Sequence, residues 1–173
     1  MGLIQRIFGG KADPSAALLP LYEQVVARAR APHWYEEGAV PDTIDGRFDM
    51  IAAVLSLVLL RLEPEEKARR ESVWLTELFV ADMDGQLRQI GIGDVSVGKH
   101  MGKMMSALGG RLGAYRLALP NGGTLGAAIR RNIFREEPAP DAGVAHVARE
   151  MRLHADALAG LFTDALLSGR AHW

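Results

Sequence analysis

Residues 50–60 read MIAAVLSLVLL, and no other stretch constrains the fold so tightly. Ser56 is the lone polar residue in the run, so the segment has no face to turn toward water. A helix that is apolar all round is buried all round. The run is also about half of the ~20 residues that a helix needs to cross a bilayer. The chain must therefore wrap other elements around this helix on every side. Asp45 or Gly46 marks its start, and Glu63-Pro64 breaks it, because proline has no amide to donate and clashes with the preceding turn.

The covering elements follow the helical period. Leu18, Tyr22, Val25 and Ala29 recur after Pro14, which suits a first helical turn, and Pro32 ends this helix. Residues 33–46 have no sustained period and read as a long ordered loop. Downstream of Glu63-Pro64, Leu75, Phe79, Met83 and Leu87 stack every four residues. Val97, Met101, Met104, Leu108, Leu112 and Tyr115 repeat at three and four in the next arm. Between the two arms lies the corner GIGD, with Gly91 as a helix stop and Ser96 as an N-cap. Leu125, Ile129 and Ile133 predict a short helix. Val144, Val147, Met151, Leu158 and Leu161 predict a last one, fading into the polar tail SGRAHW. The expected fold is all-α, a single-domain bundle of about six or seven helices around a buried central helix. Residues 1–13 read as a tail or short amphipathic helix, and 14–170 as the helical domain.

Several function classes drop out. The absence of cysteine removes disulfides, thiolate zinc sites and cysteine nucleophiles. The string from Gly93 to Lys99 matches GxxxxGK, but His100 follows where a P-loop needs Ser or Thr, and a helix precedes it instead of a strand. Asp82 and Asp84 point about 200° apart on a helix and cannot readily clasp one ion; capping, or pairing of Asp84 with Arg88, is the better use. His33, His100, His146, His154 and His172 form no i, i+3 or i, i+4 pair, and no serine sits in a GxSxG elbow. No catalytic residue, metal or cofactor is expected; an enzyme stays open only in that catalytic groups can meet from distant positions, and the sequence offers no such constellation. The N-terminus MGLIQRIFGGK is too short and interrupted for a signal peptide, and Arg6 breaks the myristoylation pattern.

Two surfaces stand out. Residues 95–135 hold Lys99, Lys103, Arg111, Arg116, Arg130, Arg131 and Arg135 with no acid. That stretch carries +7 and leaves −8 on the rest, since the whole chain sums to −1. Such helices face an anionic partner or pair internally with the acidic helix after Glu63; both uses stay open. The loop HWYEEGAVPDT sets Trp34 and Tyr35 beside Asp42, Asp45, Arg47 and Asp49. Its aromatics suit a contact spot, and they equally suit pinning the loop to the core.

The segments ADMDGQLRQIGIGDVSVGKHM and PDTIDGRFDMI together resemble the ubiquinol–cytochrome c chaperone family, over roughly residues 20–135. Proteins of that family assist assembly of cytochrome b into the respiratory cytochrome bc1 complex. The resemblance implies a non-catalytic assembly factor whose partner is cytochrome b or a bc1 assembly intermediate. It points to Pro41, Asp42, Asp45, Gly46, Arg47 and Asp49, then to Asp82, Asp84, Arg88, Gly93, Asp94, Gly98 and Lys99, and it touches Arg111 and Tyr115. The candidate partner-binding residues drawn from it are Asp42, Asp45, Arg47, Asp82, Asp84, Arg88, Asp94, Lys99, Arg111 and Tyr115. Trp34 and Tyr35 of the loop and Lys103 of the basic stretch complete the set. An anionic membrane surface and the ribosome are further candidate partners; DNA is not. The expected location is a bacterial cytoplasm, peripheral at the inner face of the membrane. The competing reading is an RNA- or ribosome-associated module using residues 95–135.

Overall fold

The computed structural model describes residues 13–89, 94–120, 124–135 and 138–173, without the side chains of Leu87 and of residues 94–101. Among the described residues there are seven α-helices and no strand. They are α1 (Leu19–Ala29), α2 (Ile44–Leu62), α3 (Arg69–Gln89), α4 (Asp94–Ala118), α5 (Leu125–Ile129), α6 (Asp141–Ala159) and α7 (Thr163–Leu167). Short 3-10 turns lead into α1, the loop after it, and α3, while a π-helical turn, Arg130–Phe134, continues α5.

The apolar run is the centre of the bundle, as its composition requires. Residues 49–59 of α2 are buried without a break, packed by α1, α3, α4 and α6. Each fully buried Leu, Val or Ile there contributes about 1.5–3 kcal/mol relative to exposure. The helix starts slightly earlier than Asp45, because Thr43 is its cap: the Thr43 hydroxyl accepts from the Gly46 amide at 3.1 Å. Gly46 has a steric reason to be glycine, since a Cβ would stand 1.9 Å from the Pro41 carbonyl oxygen. At Gly143 a Cβ would meet the Gly38 carbonyl oxygen at 2.6 Å, so α6 begins in backbone contact with the loop after α1.

That loop is tied down by its aromatics. Trp34 Nε1 donates to the Arg28 carbonyl at 2.8 Å, and the Tyr35 hydroxyl donates to the Ala29 carbonyl at 2.9 Å. Both bonds reach carbonyls of the last turn of α1, where helical pairing runs out; the Arg28 carbonyl also accepts from the Ala31 amide at 3.1 Å.

Two sequence expectations change. The second arm begins at Asp94, so Ser96 lies inside the first turn of α4 and is not its cap. Gly91, Gly93 and the rest of the corner 90–93 lie outside the described residues. The C-terminal stretch does not fade away: α7 forms, and Trp173 returns to the core at 6% exposure, edge-on to the His154 ring and beneath the Arg28 guanidinium. A single tryptophan at the end of a polar run carries no periodicity, which is why the sequence hid it. Among the described residues no helix is long and apolar enough to cross a membrane.

Candidate functional site

Helix α4 separates two cavities. Met105 and Leu112, seven residues apart, share one side of the helix. Lys103, Ala107 and Arg111 fall nearly opposite at ~100° per residue. The side chains of Leu108, Tyr115 and Ala118 form the buried seam between the two sides.

On the first side an open groove of about 960 Å³ runs between α4, α3 and the end of α2. Leu59, Leu62, Val80 and Leu112 contribute its apolar surface, and Val73 and Met105 stand exposed along it at 55% and 40%. The hydroxyls along its wall are engaged within their own helix: Ser72 donates to the Ala68 carbonyl and Thr76 to the Ser72 carbonyl. What remains polar is mostly acidic. Glu63, Glu77 and Asp84 line the groove against one base, Arg69. Arg116 donates to Glu63 at 2.9 Å, and that hydrogen bond holds the carboxyl below its usual range. Glu77 has no partner among the described residues.

On the other side a pocket of about 480 Å³ is enclosed by the first turns of α2, the end of α3, α4 and the π-helical turn. Lys103, Arg111, Arg131 and Arg135 line it, beside Phe48, Met83 and Met104. Its frame is Asp49, which is 1% exposed. Arg111, itself buried, pairs with Asp49 and donates to the Asn132 carbonyl at 2.9 Å. Arg135 grips the same carboxylate with two bonds, Nε to Oδ2 at 2.8 Å and Nη2 to Oδ1 at 2.9 Å. A longer contact, 3.4 Å, joins Arg135 to Asp45. Burial raises the Asp49 carboxyl above its ordinary range, against the opposing pull of Arg135 and Arg111. This cluster ties α2, α4 and the π-helical turn into one unit. The backbone is irregular here: Arg135 has φ 55, a left-handed conformation that costs a non-glycine residue about 1 kcal/mol or more.

The predicted contact residues divide. Asp45, Lys103 and Arg111 meet at the basic pocket, and Asp84 meets the groove. Asp84 also pairs with Arg88 at 2.8 Å, the i, i+4 partner expected from spacing. Asp42 of the loop and Arg47 of the first turn of α2 form an exposed pair at 2.6 Å, lining neither cavity. Asp94 and Lys99 belong to α4, but their side chains lie outside the description. Four residues are corrected. Trp34 and Tyr115 are fully buried and Arg111 is 4% exposed, so none presents a surface to a partner. Asp82 accepts from the Tyr22 hydroxyl at 2.8 Å and from Gln86 at 3.2 Å, which makes it a link between α1 and α3. Tyr35 is half-buried and serves the loop as described above.

Sequence reasoning missed Val73 and Val80 as groove residues, because an exposed apolar side chain on a helix has no signature of its own. No neighbouring backbone packs against Gly102, Gly109 or Gly113 among the described residues: a Cβ at any of them meets nothing within 4 Å. The acid-free stretch is largely neutralised: Arg111 and Arg135 pair with Asp49, Arg116 with Glu63, and Arg130 with Asp141. Lys103 and Arg131 are left without an acidic partner among the described residues. That is too little for a groove tracking a phosphate backbone. Residues 94–99 of the GxxxxGK string are helical and cannot form a phosphate-cradling loop. Away from both cavities, His33 Nδ1 lies 3.0 Å from His146 Nε2, and the His154 ring sits near Trp34 and Trp173. Burial lowers both His33 and His154 below the ordinary imidazole range.

The Ubiquinol-cytochrome C chaperone family model matches residues 36–173, which contain every residue lining the two cavities. The crystal structure of the Cbp3 homolog from Brucella abortus is similar, at 33% sequence identity and a TM-score of 0.78, over 89% of this chain and 86% of that one. No curated protein matches.

Proposed function

From the premise that this chain belongs to the ubiquinol–cytochrome c chaperone family, we propose that it holds unassembled cytochrome b during biogenesis of the bc1 complex. A chaperone role in bc1 assembly comes with the family. In this reading an apolar segment of the client lies in the groove between α3 and α4.

The observation that carries the reading is the make-up of that groove. Its surface is apolar, its wall hydroxyls are engaged, and its charges are mostly carboxylates. A membrane subunit awaiting assembly presents apolar segments, and its cytoplasmic flanks are rich in Lys and Arg. Apolar residues entering the groove gain about 25 cal/mol per Å² removed from water. Basic flanks then meet Glu77, while Glu63 and Asp84 already pair with Arg116 and Arg88. Met105 at the opening is flexible enough to pack against unlike client side chains. Holding a client in this way needs no bond making, so the function is binding without catalysis. The reading sets the protein in a bacterial cytoplasm, at the inner face of the membrane where those flanks emerge.

Photo-crosslinking residues at positions 73 and 105, compared with one at the exposed Leu153 of α6, test it. Adducts with cytochrome b from 73 and 105 but not from 153 are expected. Adducts from 153 alone would move the client to another face.

A further inference from the structure

The pocket on the opposite side of α4 has no part in the client reading, and its chemistry is different. We propose that it binds an anionic lipid, taking the headgroup anion on Lys103 and Arg131 and the first part of the chain against Phe48, Met83 and Met104.

Three observations point there. First, charge is unbalanced. Four cations line the pocket, while Asp49 and Asp45 are the carboxylates that meet them. Lys103 and Arg131 are exposed and have no acidic partner among the described residues. Second, a buried donor is left over: the Arg111 side chain is 5% exposed, and its Nε has no acceptor. Third, the fold goes to some expense to set this wall. A π-helical turn carries Arg131, and the left-handed Arg135 closes over Asp49. Such irregularities persist where surrounding contacts hold them, and they gather at binding sites.

The ligand class follows from the two kinds of lining. An inorganic anion would satisfy the cations and leave the apolar half wet. A neutral apolar molecule would fill that half and strip water from unpaired cations, which is costly. An anion joined to an apolar chain satisfies both, and about 480 Å³ is within the range of small-molecule sites. A membrane source is favoured by Ile44, an isoleucine 60% exposed at the pocket among these cations. An exposed apolar residue beside free Lys and Arg is how peripheral proteins meet anionic bilayers.

The inference does not depend on the client reading, and the two fail separately. Flotation of the full chain with phosphatidylcholine vesicles, with and without phosphatidylglycerol, is the first arm. The protein is expected to float only with the anionic vesicles, and Lys103→Ala/Arg131→Ala to weaken this roughly thirtyfold. Ala107→Phe keeps every charge but fills the pocket, and it is expected to weaken flotation with an unchanged melting temperature. Met105→Glu, on the client side, is expected to float like the wild type. The second arm compares decyl phosphate, inorganic phosphate and decanol as soluble probes, with decyl phosphate alone expected to bind. No flotation of the wild type, or equal flotation of Ala107→Phe, would overturn the proposal. So would equal binding of inorganic phosphate or decanol, or a preference for an acidic peptide over decyl phosphate.

Discussion

The two sides of α4 are built from neighbouring residues of one helix yet offer opposite chemistry. Toward Met105 and Leu112 the surface is apolar with carboxylates around it; toward Lys103 and Arg111 it is cationic over a smaller apolar patch. The difference comes from the neighbours. The groove shares α3, where Glu77 and Asp84 lie, and the pocket shares the π-helical turn, where Arg131 and Arg135 lie. A helix is ~10 Å across, and the screening length at physiological salt is ~8 Å, so the two potentials stay distinct in solution. One helix thus serves two surfaces, and between them Gly102, Gly109 and Gly113 leave its outer face narrow and open, with nothing within 4 Å of where a Cβ would stand.

Breaking the basic side at its root has the largest expected effect. Asp49→Ala leaves the buried Arg111 without its carboxylate and should cost about 3–5 kcal/mol in urea unfolding. A loss of about 1 kcal/mol or less would mean that this cluster does not hold the wall together.

A smaller effect, confined to the other side, is expected from Met105→Glu. The residue is 40% exposed, so the fold should tolerate the change while capture of cytochrome b falls about tenfold or more, measured by co-purification. Unchanged capture would take the groove out of the client reading.

The histidine cluster offers a control that should touch neither side selectively. His33 and His154 are held below the imidazole reference of 6.5, so the unfolded chain takes up protons first as pH falls. Stability from these groups is complete above pH about 6.5 and declines as pH falls below it, through the lowered folded-state range. The melting temperature is expected to fall over that window, and His154→Gln to flatten the fall. Any loss of client or lipid binding there should track the unfolded fraction.

The smallest expected effect sharpens the role of the narrow face. Gly109→Ala replaces an exposed mid-helix glycine with open space around it, and should stabilise by about 0.5–1 kcal/mol. If binding on either side weakens in that variant despite higher stability, the outer face takes part in contacts as well.

Much of this architecture was legible because burial writes periodicity into the chain. The central helix followed from MIAAVLSLVLL, and the covering helices from Leu75, Phe79, Met83 and their counterparts. The functional side was far less legible. Asp49 and Arg111 are 62 residues apart, and only folding shows that one carboxylate organises two arginines. The charges of residues 95–135 suggested one basic surface, but most of them find partners on α2, on α6 or at Glu63. Val73 and Met105 look like ordinary helix residues until the gap between α3 and α4 appears. Trp34 suited a contact spot or a pin on residue type alone, and its full burial decides for the pin.

One comparison tests the two-sided account most directly: cytochrome b capture and anionic-vesicle flotation, measured together for the wild type, Met105→Glu and Lys103→Ala/Arg131→Ala. The account predicts that Met105→Glu loses the client and keeps the vesicles, while the double variant keeps the client and loses the vesicles. Loss of both activities in both variants, at unchanged stability, would contradict it and make α4 a single undivided surface.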